Sequence, residues 1–245
     1  MIVGVAQTRS IKGDVASNIF KHKRLIELAA SVGAAWIIFP ELSVTGYEPD
    51  LAQALAVSID NPQLNVFQEL ANQKHLSIGV GMPIKAEDGI YIGLVIFQPN
   101  QPRKLYAKKY LHADEFPYFV PGPTFSEQLD HEGKIAPAIC YEISVPEHAR
   151  EAYQQGAEIY IASVAKSVAG IKKAETRLSN VAREYKMTVL MANCIGYCDN
   201  FEAGGKSSIW DTNGSLLAQL NDQTEGLILL DTAASTVQIE TLPMR

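Results

Sequence analysis

The sequence predicts an α/β protein, and the alternation of apolar runs with amphipathic stretches is the main reason. In the first half, the apolar run "IVGVAQ" is followed by an amphipathic stretch at 14–33 and then by "AAWIIF". The second half repeats this pattern with "KIAPAIC", a helical stretch from about residue 146, "EIYIASV", a helical stretch at about 172–186, and "TVLMAN". Strands that alternate with helices are typical of layered α/β folds.

Strand pairs and turns fill much of the remaining chain. The runs "LSIGVGMPI" and "YIGLVIF" predict two further strands. The segment "GGKSSIWDTNGSLLAQL" predicts a hairpin through Asn213 and Gly214, because Asn-Gly is a preferred hairpin turn. No Pro-, Gly- or Ser-rich linker divides the sequence, so we expect one domain over residues 1–245.

Composition excludes several classes of protein. A chain of 245 residues that is 47% hydrophobic can bury an ample core. The net charge is -6 and the basic residues are scattered, so we expect no nucleic-acid partner. No apolar run is long enough to cross a membrane and no secretory pattern is visible, so we expect no membrane association.

The three cysteines are too few for a disulfide framework, which favours a reducing compartment and a cytoplasmic location. Cys194 and Cys198 form a C-x3-C pair without a second pair or a nearby histidine. A zinc site needs more ligands than this pair offers. We therefore expect both to pack around a strand end, and we expect no metal.

Chemically active side chains follow three of the apolar runs. Glu41 comes after "AAWIIF", Lys108 and Lys109 precede Glu115 in "KLYAKKYLHADE", and Cys140 ends "KIAPAIC". Ligands gather at the carboxyl ends of strands in layered α/β proteins. Each of these residues also has a purely structural explanation. Glu41 could satisfy a helix N-terminus or a loop donor, and Cys140 could be a small core side chain. At least one of the two lysines could be a surface charge, with Glu115 as its salt-bridge partner. Together, however, a thiol, a carboxylate and an ammonium predict a cysteine nucleophile with a carboxylate base.

The segment after Cys140 predicts a tight turn into a helix. Ser144 and Glu147 have the spacing of a capping box, with Pro146 in the first turn. A helix that starts about four residues after the cysteine would favour its thiolate.

Taken together, several segments resemble the nitrilase superfamily of carbon-nitrogen hydrolases over nearly the whole chain. They are "VGVAQT", "DVASNI", "FPELSVTGY", "YAKKYL", "DEFPYFVPG", "AICYEISVPE", "MANCIGY" and "GGKSSIWDTNGSLLA". The resemblance implies a four-layer α-β-β-α sandwich, a Glu-Lys-Cys triad, no cofactor, and a homodimer or higher homo-oligomer.

By this resemblance Glu41 is the general base and Cys140 is the nucleophile. Lys108 is the triad lysine, because "KKYL" fits the Lys-x-Tyr-Leu pattern with Lys109 as the variable residue. Glu115 falls on the second glutamate, which lies beside the lysine. Oxyanion and substrate-binding positions fall on Tyr141, through its backbone N–H, and on Tyr47, Phe119, Ala165 and Lys166.

The implied activity is hydrolysis of the C–N bond of a small linear amide through a thioester. The alternatives are a nitrilase, an N-carbamoyl amide hydrolase, a Cys-His hydrolase that uses His112 or His148, and a non-catalytic binding protein with the same sandwich. The chain departs from many relatives at 143–145, where they carry an Arg-Phe pair, and at 165–167. Both regions shape the acyl pocket in the family, so the sequence leaves the substrate open, and Lys166 is either a ligand for a substrate carboxylate or a surface lysine.

Overall fold

The computed structural model describes residues 1–123, 129 and 134–242. It contains two large sheets and a short two-stranded hairpin. The strands are β1 (Ile2–Gln7), β2 (Trp36–Ile38), β3 (Ser77–Lys85), β4 (Ile90–Phe97), β5 (Lys104–Ala107), β6 (Ile135–Ile139), β7 (Ile159–Val164), β8 (Thr188–Asn193), β9 (Ile195–Cys198), β10 (Phe201–Gly204), β11 (Ser208–Trp210), β12 (Leu216–Gln219), β13 (Gly226–Asp231) and β14 (Thr236–Thr241). The seven-stranded sheet has the order β14-β13-β1-β2-β3-β4-β5, and the five-stranded sheet has the order β12-β11-β8-β7-β6. Strands β9 and β10 form the hairpin.

Five α-helices connect or cover these sheets in the described residues. They are α1 (Val15–Ser31), α2 (Ala52–Leu55), α3 (Asn65–Lys74), α4 (Pro146–Gln154) and α5 (Val168–Tyr185). Helix α5 begins about four residues earlier than the sequence predicted, because the Ser167 side chain accepts the N–H of Gly170 and caps it. Helix α3 was not predicted.

The side chains of β4 show how the layers form. Ile92 and Leu94 belong to a core shared by both sheets, whereas Val95 and Phe97 belong to a second core under α1 and α3. Strand alternation places these two sets on opposite faces of the seven-stranded sheet. Helix α5 contacts β8 and β11 of the other sheet through buried residues such as Leu178. The order is therefore helix, sheet, sheet, helix, and the predicted four-layer sandwich is confirmed.

The carboxyl ends of strands from both sheets meet at one edge of the sandwich. Strands β1, β2 and β3 run parallel, as do β6, β7 and β8. The Ser163 hydroxyl at the end of β7 donates to the Phe39 carbonyl beyond β2 at 2.8 Å. This bond joins the two sheets where the predicted site residues follow their strands.

Gly81 of β3 lets the loop after β2 cross the sheet closely. A Cβ at this position would lie 2.5 Å from the Pro40 carbonyl oxygen and closer still to the Leu42 nitrogen. The Gly81 carbonyl in turn accepts the N–H of Val44 at 3.0 Å. The backbone on either side of Glu41 is therefore held against β3.

The hairpin predicted through Asn213 and Gly214 is present as β11 and β12. Gly214 has φ +80°, a conformation that favours glycine. In the described part of the chain, no helix is long and apolar enough to span a bilayer.

Candidate active site

Glu41, Lys108 and Cys140 lie together at the edge where the two sheets meet. Lys108 directly follows β5 and Cys140 directly follows β6, while Glu41 lies in the loop after β2. Their exposed fractions are 2% for Glu41, 0% for Lys108 and 8% for Cys140. A thiol and three charged groups, counting Glu115, are thus collected in a site with little access to water.

Lys108 joins two carboxylates through one ammonium group. Its Nζ donates to Glu41 Oε1 at 2.7 Å and to Glu115 Oε1 at 2.6 Å. Burial by itself lowers the pKa of Lys108, but the charges of Glu41, Cys140 and Glu115 outweigh burial and raise it. The ammonium therefore stays charged. The neighbouring Lys109 reaches Glu151 at 3.4 Å instead and lies outside this cluster.

Every oxygen of the Glu115 carboxylate has a partner. Oε1 accepts the Tyr47 hydroxyl at 2.9 Å in addition to Lys108, and Oε2 accepts the His112 backbone N–H at 2.7 Å. A carboxylate with this many donors is held in one orientation. Glu115 therefore fixes Lys108 and Tyr47 relative to each other.

Glu41 differs from Glu115 because one of its oxygens is free. Its Oε2 is buried and has no hydrogen-bond partner among the described residues. Burial raises the pKa of Glu41, whereas the Lys108 ammonium and the adjacent Cys140 thiol oppose this increase. A buried carboxylate with a free lone pair beside a thiol can accept a proton from it.

Cys140 begins a 3₁₀ turn, Cys140–Ser144, and has a φ of +42°. Its Sγ lies 3.8 Å from the Ala165 carbonyl oxygen, which accepts the thiol proton. Burial, followed by the charge of Glu41, raises the pKa of Cys140 to about 11, although Lys166 and Lys108 act in the opposite direction. Burial is the largest influence on this pKa, and the effect expected from the following helix stays a prediction. The thiol is protonated at neutral pH and needs a base.

The predicted capping box is wrong in its details. Helix α4 begins at Pro146 after Val145, and no side chain caps it. The backbone carbonyl of Ser144 accepts a hydrogen bond from the Arg177 side chain at 3.0 Å. The helix starts where the sequence predicted because Pro146 suits the first helical position.

Glu142 is a buried residue whose role the sequence analysis missed. Its Oε2 accepts the Ile139 N–H at 2.8 Å and the Tyr106 hydroxyl at 2.6 Å, and its Oε1 accepts the Lys109 N–H at 2.7 Å. A carboxylate within the largely apolar "AICYEI" was the available signal, because a buried charge requires several partners. Glu142 joins the Cys140 turn to the Lys108 segment.

Both candidate histidine bases interact with residues other than Cys140. His148 is buried, and its ring nitrogens lie 2.7 Å from the Tyr106 hydroxyl and 2.8 Å from the Tyr160 hydroxyl. His112 is exposed and pairs with Asp114 at 2.6 Å. Within the described residues, no hydrogen bond joins either ring to Cys140, which disfavours a Cys-His hydrolase.

The predicted substrate-binding residues border this cluster. Tyr141 is the second residue of the 3₁₀ turn, and its ring packs edge-on against His112 at 5.2 Å. Phe119 is buried, and its N–H donates to the Glu115 carbonyl at 2.9 Å. Ala165 is buried beside the thiol. With Tyr47 bonded to Glu115, these residues surround the triad candidates.

Lys166 has a fixed backbone and a partly exposed side chain. Its N–H donates to Asn193 Oδ1 at 2.8 Å, and its carbonyl accepts the Gly204 N–H at 2.8 Å. No carboxylate of the described chain forms an ion pair with its ammonium. Asn193, which holds it, was not predicted, although a buried polar residue at the end of "TVLMAN" is a recognisable signal.

No group of three or more His, Cys, Asp or Glu side chains within residues 1–123, 129 and 134–242 has the arrangement of a metal site. The cluster itself offers a buried thiol, a carboxylate with a free oxygen and an ammonium held by two carboxylates. These groups suit attack on a carbonyl carbon with stabilisation of the resulting oxyanion.

Fold and site together define a cysteine-containing α-β-β-α hydrolase, and comparison with known proteins agrees. The sequence profile of the carbon-nitrogen hydrolases matches residues 2–239. The chain belongs to the carbon-nitrogen hydrolase family, within the nitrilase superfamily.

Two relatives are similar over most of the chain. A protein of Pseudomonas protegens described as a hydrolase in the pqqF 5' region is 29% identical over 223 residues, covering 88% of this chain and 77% of that protein. An (R)-stereoselective amidase from a Pseudomonas species is 25% identical over 236 residues, covering 94% of this chain and 85% of that protein.

The fold is also similar to that of an amidase from Nesterenkonia sp. AN1. A variant of that amidase in complex with butyramide superposes with a TM-score of 0.86 at 22% identity, covering 96% of this chain and 92% of that chain. Another variant carries the acetamide moiety of fluoroacetamide on its active-site cysteine, with a TM-score of 0.85 at 21% identity, covering 99% of this chain and 90% of that chain. This likeness supports the four-layer fold.

Proposed function

We propose that the protein hydrolyses the C–N bond of small linear amides through a thioester on Cys140. The observation that carries this proposal is the free, buried Oε2 of Glu41 beside a thiol that remains protonated at neutral pH. The amidase named among the sequence relatives supports an amide substrate for this chain. The butyramide bound by the Nesterenkonia amidase supports a small one.

In the first stage, Glu41 Oε2 takes the proton of the Cys140 thiol while Sγ attacks the carbonyl carbon. The Lys108 ammonium and the Tyr141 N–H stabilise the oxyanion; removing one such donor typically raises the barrier by about 2.7 to 4 kcal/mol. The C–N bond then breaks, and the leaving nitrogen takes the proton from Glu41. The product is a thioester on Cys140 and free ammonia or an amine.

In the second stage, water gives a proton to the Glu41 carboxylate and attacks the thioester carbonyl. The C–S bond breaks, the carboxylic acid leaves, and the proton held by Glu41 returns to Cys140. Glu115 contributes by holding Lys108 through its 2.6 Å hydrogen bond, while Tyr47 fixes Glu115. We expect that these steps need no metal or organic cofactor.

The substrate contacts that we propose come from residues around the thiol. Phe119, Tyr47 and Ala165 would line the acyl pocket. The ammonium of Lys166 would bind an anionic group on the substrate, because its charge influences the Cys140 thiol and it has no carboxylate partner in the described chain. The hydrogen bond from its backbone N–H to Asn193 fixes the point from which the side chain extends.

Ammonia release from a panel of amides, nitriles and N-carbamoyl compounds tests this function. We expect release from amides that is abolished in Cys140→Ala and strongly reduced in Glu41→Gln. Intact mass of the unaltered protein, quenched with acid during turnover of an active amide, should show the acyl group on Cys140. Release that does not depend on Cys140, or no release across the panel, would support another hydrolase mechanism or a binding protein.

We also propose a homodimer or larger homo-oligomer and a cytoplasmic location. Light scattering at several protein concentrations tests the assembly. Fractionation of cells that produce the full-length protein tests the location.

A further inference from the structure

Cys194 and Cys198 lie closer together than two cysteines that merely pack at a strand end. Their Sγ atoms are 3.7 Å apart, and both side chains are buried. Cys194 follows β8, and Cys198 is the last residue of β9. Gly196 between them has φ +86°, so the backbone curls and brings the two thiols to the same side.

The pair is connected to the proposed active site through Tyr47. The Tyr47 backbone lies next to Cys198 and influences the pKa of its thiol, while the Tyr47 hydroxyl donates to Glu115. The Tyr47 ring also packs on Phe201 of β10 with centroids 5.8 Å apart. A change at Cys198 therefore acts on the residue that orients Glu115.

We propose that Cys194 and Cys198 are a modification site that hydrogen peroxide converts to a reversible disulfide, and that this disulfide lowers hydrolase activity through Tyr47. The sulfur atoms need to approach from 3.7 Å to the usual bond length of about 2.05 Å. The glycine between them and the short β9–β10 hairpin provide the necessary movement. The activity part of this proposal rests on the proposed function, whereas the disulfide itself does not.

The pKa values of the two thiols are shifted in opposite directions. The contact with Cys194 is the largest influence on the pKa of Cys198 and lowers it despite burial. The corresponding contact and burial raise the pKa of Cys194. We assign the first reaction with peroxide to Cys198, because its exposed fraction is 6% against 3% for Cys194 and its pKa is the lower of the two.

The reaction balances with one peroxide. The Cys198 sulfur attacks one oxygen, an S–O bond forms, the O–O bond breaks, and hydroxide leaves as water with the Cys198 proton. The Cys194 sulfur then attacks the Cys198 sulfur, the S–S bond forms, and the S–O bond breaks. The departing hydroxide takes the Cys194 proton, so two thiols and one peroxide give a disulfide and two waters.

Mass spectrometry of Cys140→Ser protein tests the disulfide without interference from the third thiol. After treatment with hydrogen peroxide, we expect the intact mass to fall by two hydrogens and the cysteines to resist iodoacetamide until dithiothreitol is added. The matched control, Cys140→Ser/Cys194→Ser, should lose no hydrogens. Retention of two alkylatable thiols, or gain of oxygen atoms without loss of hydrogens, overturns the disulfide.

Activity of protein with Cys140 intact tests the coupling to the site. Because small displacements of catalytic groups cost roughly tenfold to a hundredfold in rate, we expect peroxide to lower kcat by about tenfold. We expect dithiothreitol to restore kcat, and Cys194→Ser to lack this reversible loss. A complete disulfide with unchanged kcat overturns the coupling, whereas an untreated protein that is already inactive argues against the proposed function and leaves the mass result valid.

Discussion

The Glu142 carboxylate accepts the backbone N–H of Lys109 at 2.7 Å across a gap of 33 positions in the sequence. The same carboxylate accepts the N–H of Ile139, next to the proposed nucleophile. One fully buried side chain thus sets the distance between the turn of Cys140 and the segment of Lys108.

Glu142→Gln should lower both stability and kcat. The glutamine amide can replace only one of the carboxylate oxygens as an acceptor, so one buried donor loses its partner, at a cost of about 1 to 3 kcal/mol in unfolding free energy. Urea denaturation and steady-state kinetics measure the two effects. Glu147→Gln, an exposed change in the first turn of α4, is the matched control and should leave both nearly unchanged. Wild-type kcat in Glu142→Gln would show that this carboxylate does not position the site.

Gly81→Ala should displace Glu41. The new methyl group would overlap the Pro40 carbonyl and the Leu42 nitrogen, and an overpacked core costs about 1 to 3 kcal/mol. We expect kcat to fall in folded protein, as judged by kinetics alongside circular dichroism. Gly79→Ala on the same strand is the control, because its methyl group would meet the side-chain ends of Ile38 and Ile96 rather than the backbone around Glu41. Equal kcat values for the two variants would contradict the proposed role of Gly81.

The acid limb of the pH–rate profile should report Glu41. The mechanism needs its carboxylate form, so kcat/KM rises with pH through the pKa of Glu41, which burial places above the ordinary 4.5. The Cys140 thiol stays protonated until the pH approaches its pKa of about 11. Glu115→Gln removes a negative charge that raises the pKa of Glu41, so the acid limb should move to lower pH. If the acid limb of Glu115→Gln lies at the same pH as that of the unaltered protein, the limb reports the titration of a group other than Glu41.

Lys166→Gln should discriminate between anionic and neutral amides. An ion-paired hydrogen bond is worth about 1.5 to 3 kcal/mol, so kcat/KM for an amide with a distal carboxylate should fall roughly tenfold or more. A neutral amide of the same length should be nearly unaffected. Lys172→Gln, which alters an exposed lysine of α5, is the control. An equal loss with both substrates would indicate that Lys166 supports the reaction rather than the selection of substrate.

The parts of the fold that could be predicted are those coded by local pattern. The strands before Glu41 and Cys140 are continuous apolar runs, so their ends were visible in the sequence, whereas β5 before Lys108 starts with Lys104 and was not predicted. That these strand ends lie close together was predicted only from the resemblance to a family. No local pattern in the sequence indicates that β2 and β7 face each other across the sandwich.

The features that could not be predicted depend on three-dimensional burial. The Cys140 thiol has a raised pKa because both sheets close around it, whereas the sequence showed only the nearby helix. The approach of Cys194 to Cys198 depends on the positive φ of Gly196. The partners of Glu142 come from β5, β6 and the loop after β5, and their approach follows from the packing of the sheets.

The hydrogen bond from Ser163 to Phe39 lies at the junction of the two sheets, which are built from different parts of the chain. Glu41 and Lys108 follow strands of the seven-stranded sheet, and that sheet is completed only by β13 and β14 near the end of the sequence. A nascent chain that has emerged only as far as Cys140 therefore carries the thiol without a finished enclosure. We expect the enclosure of the thiol to form only after β13 has paired with β1.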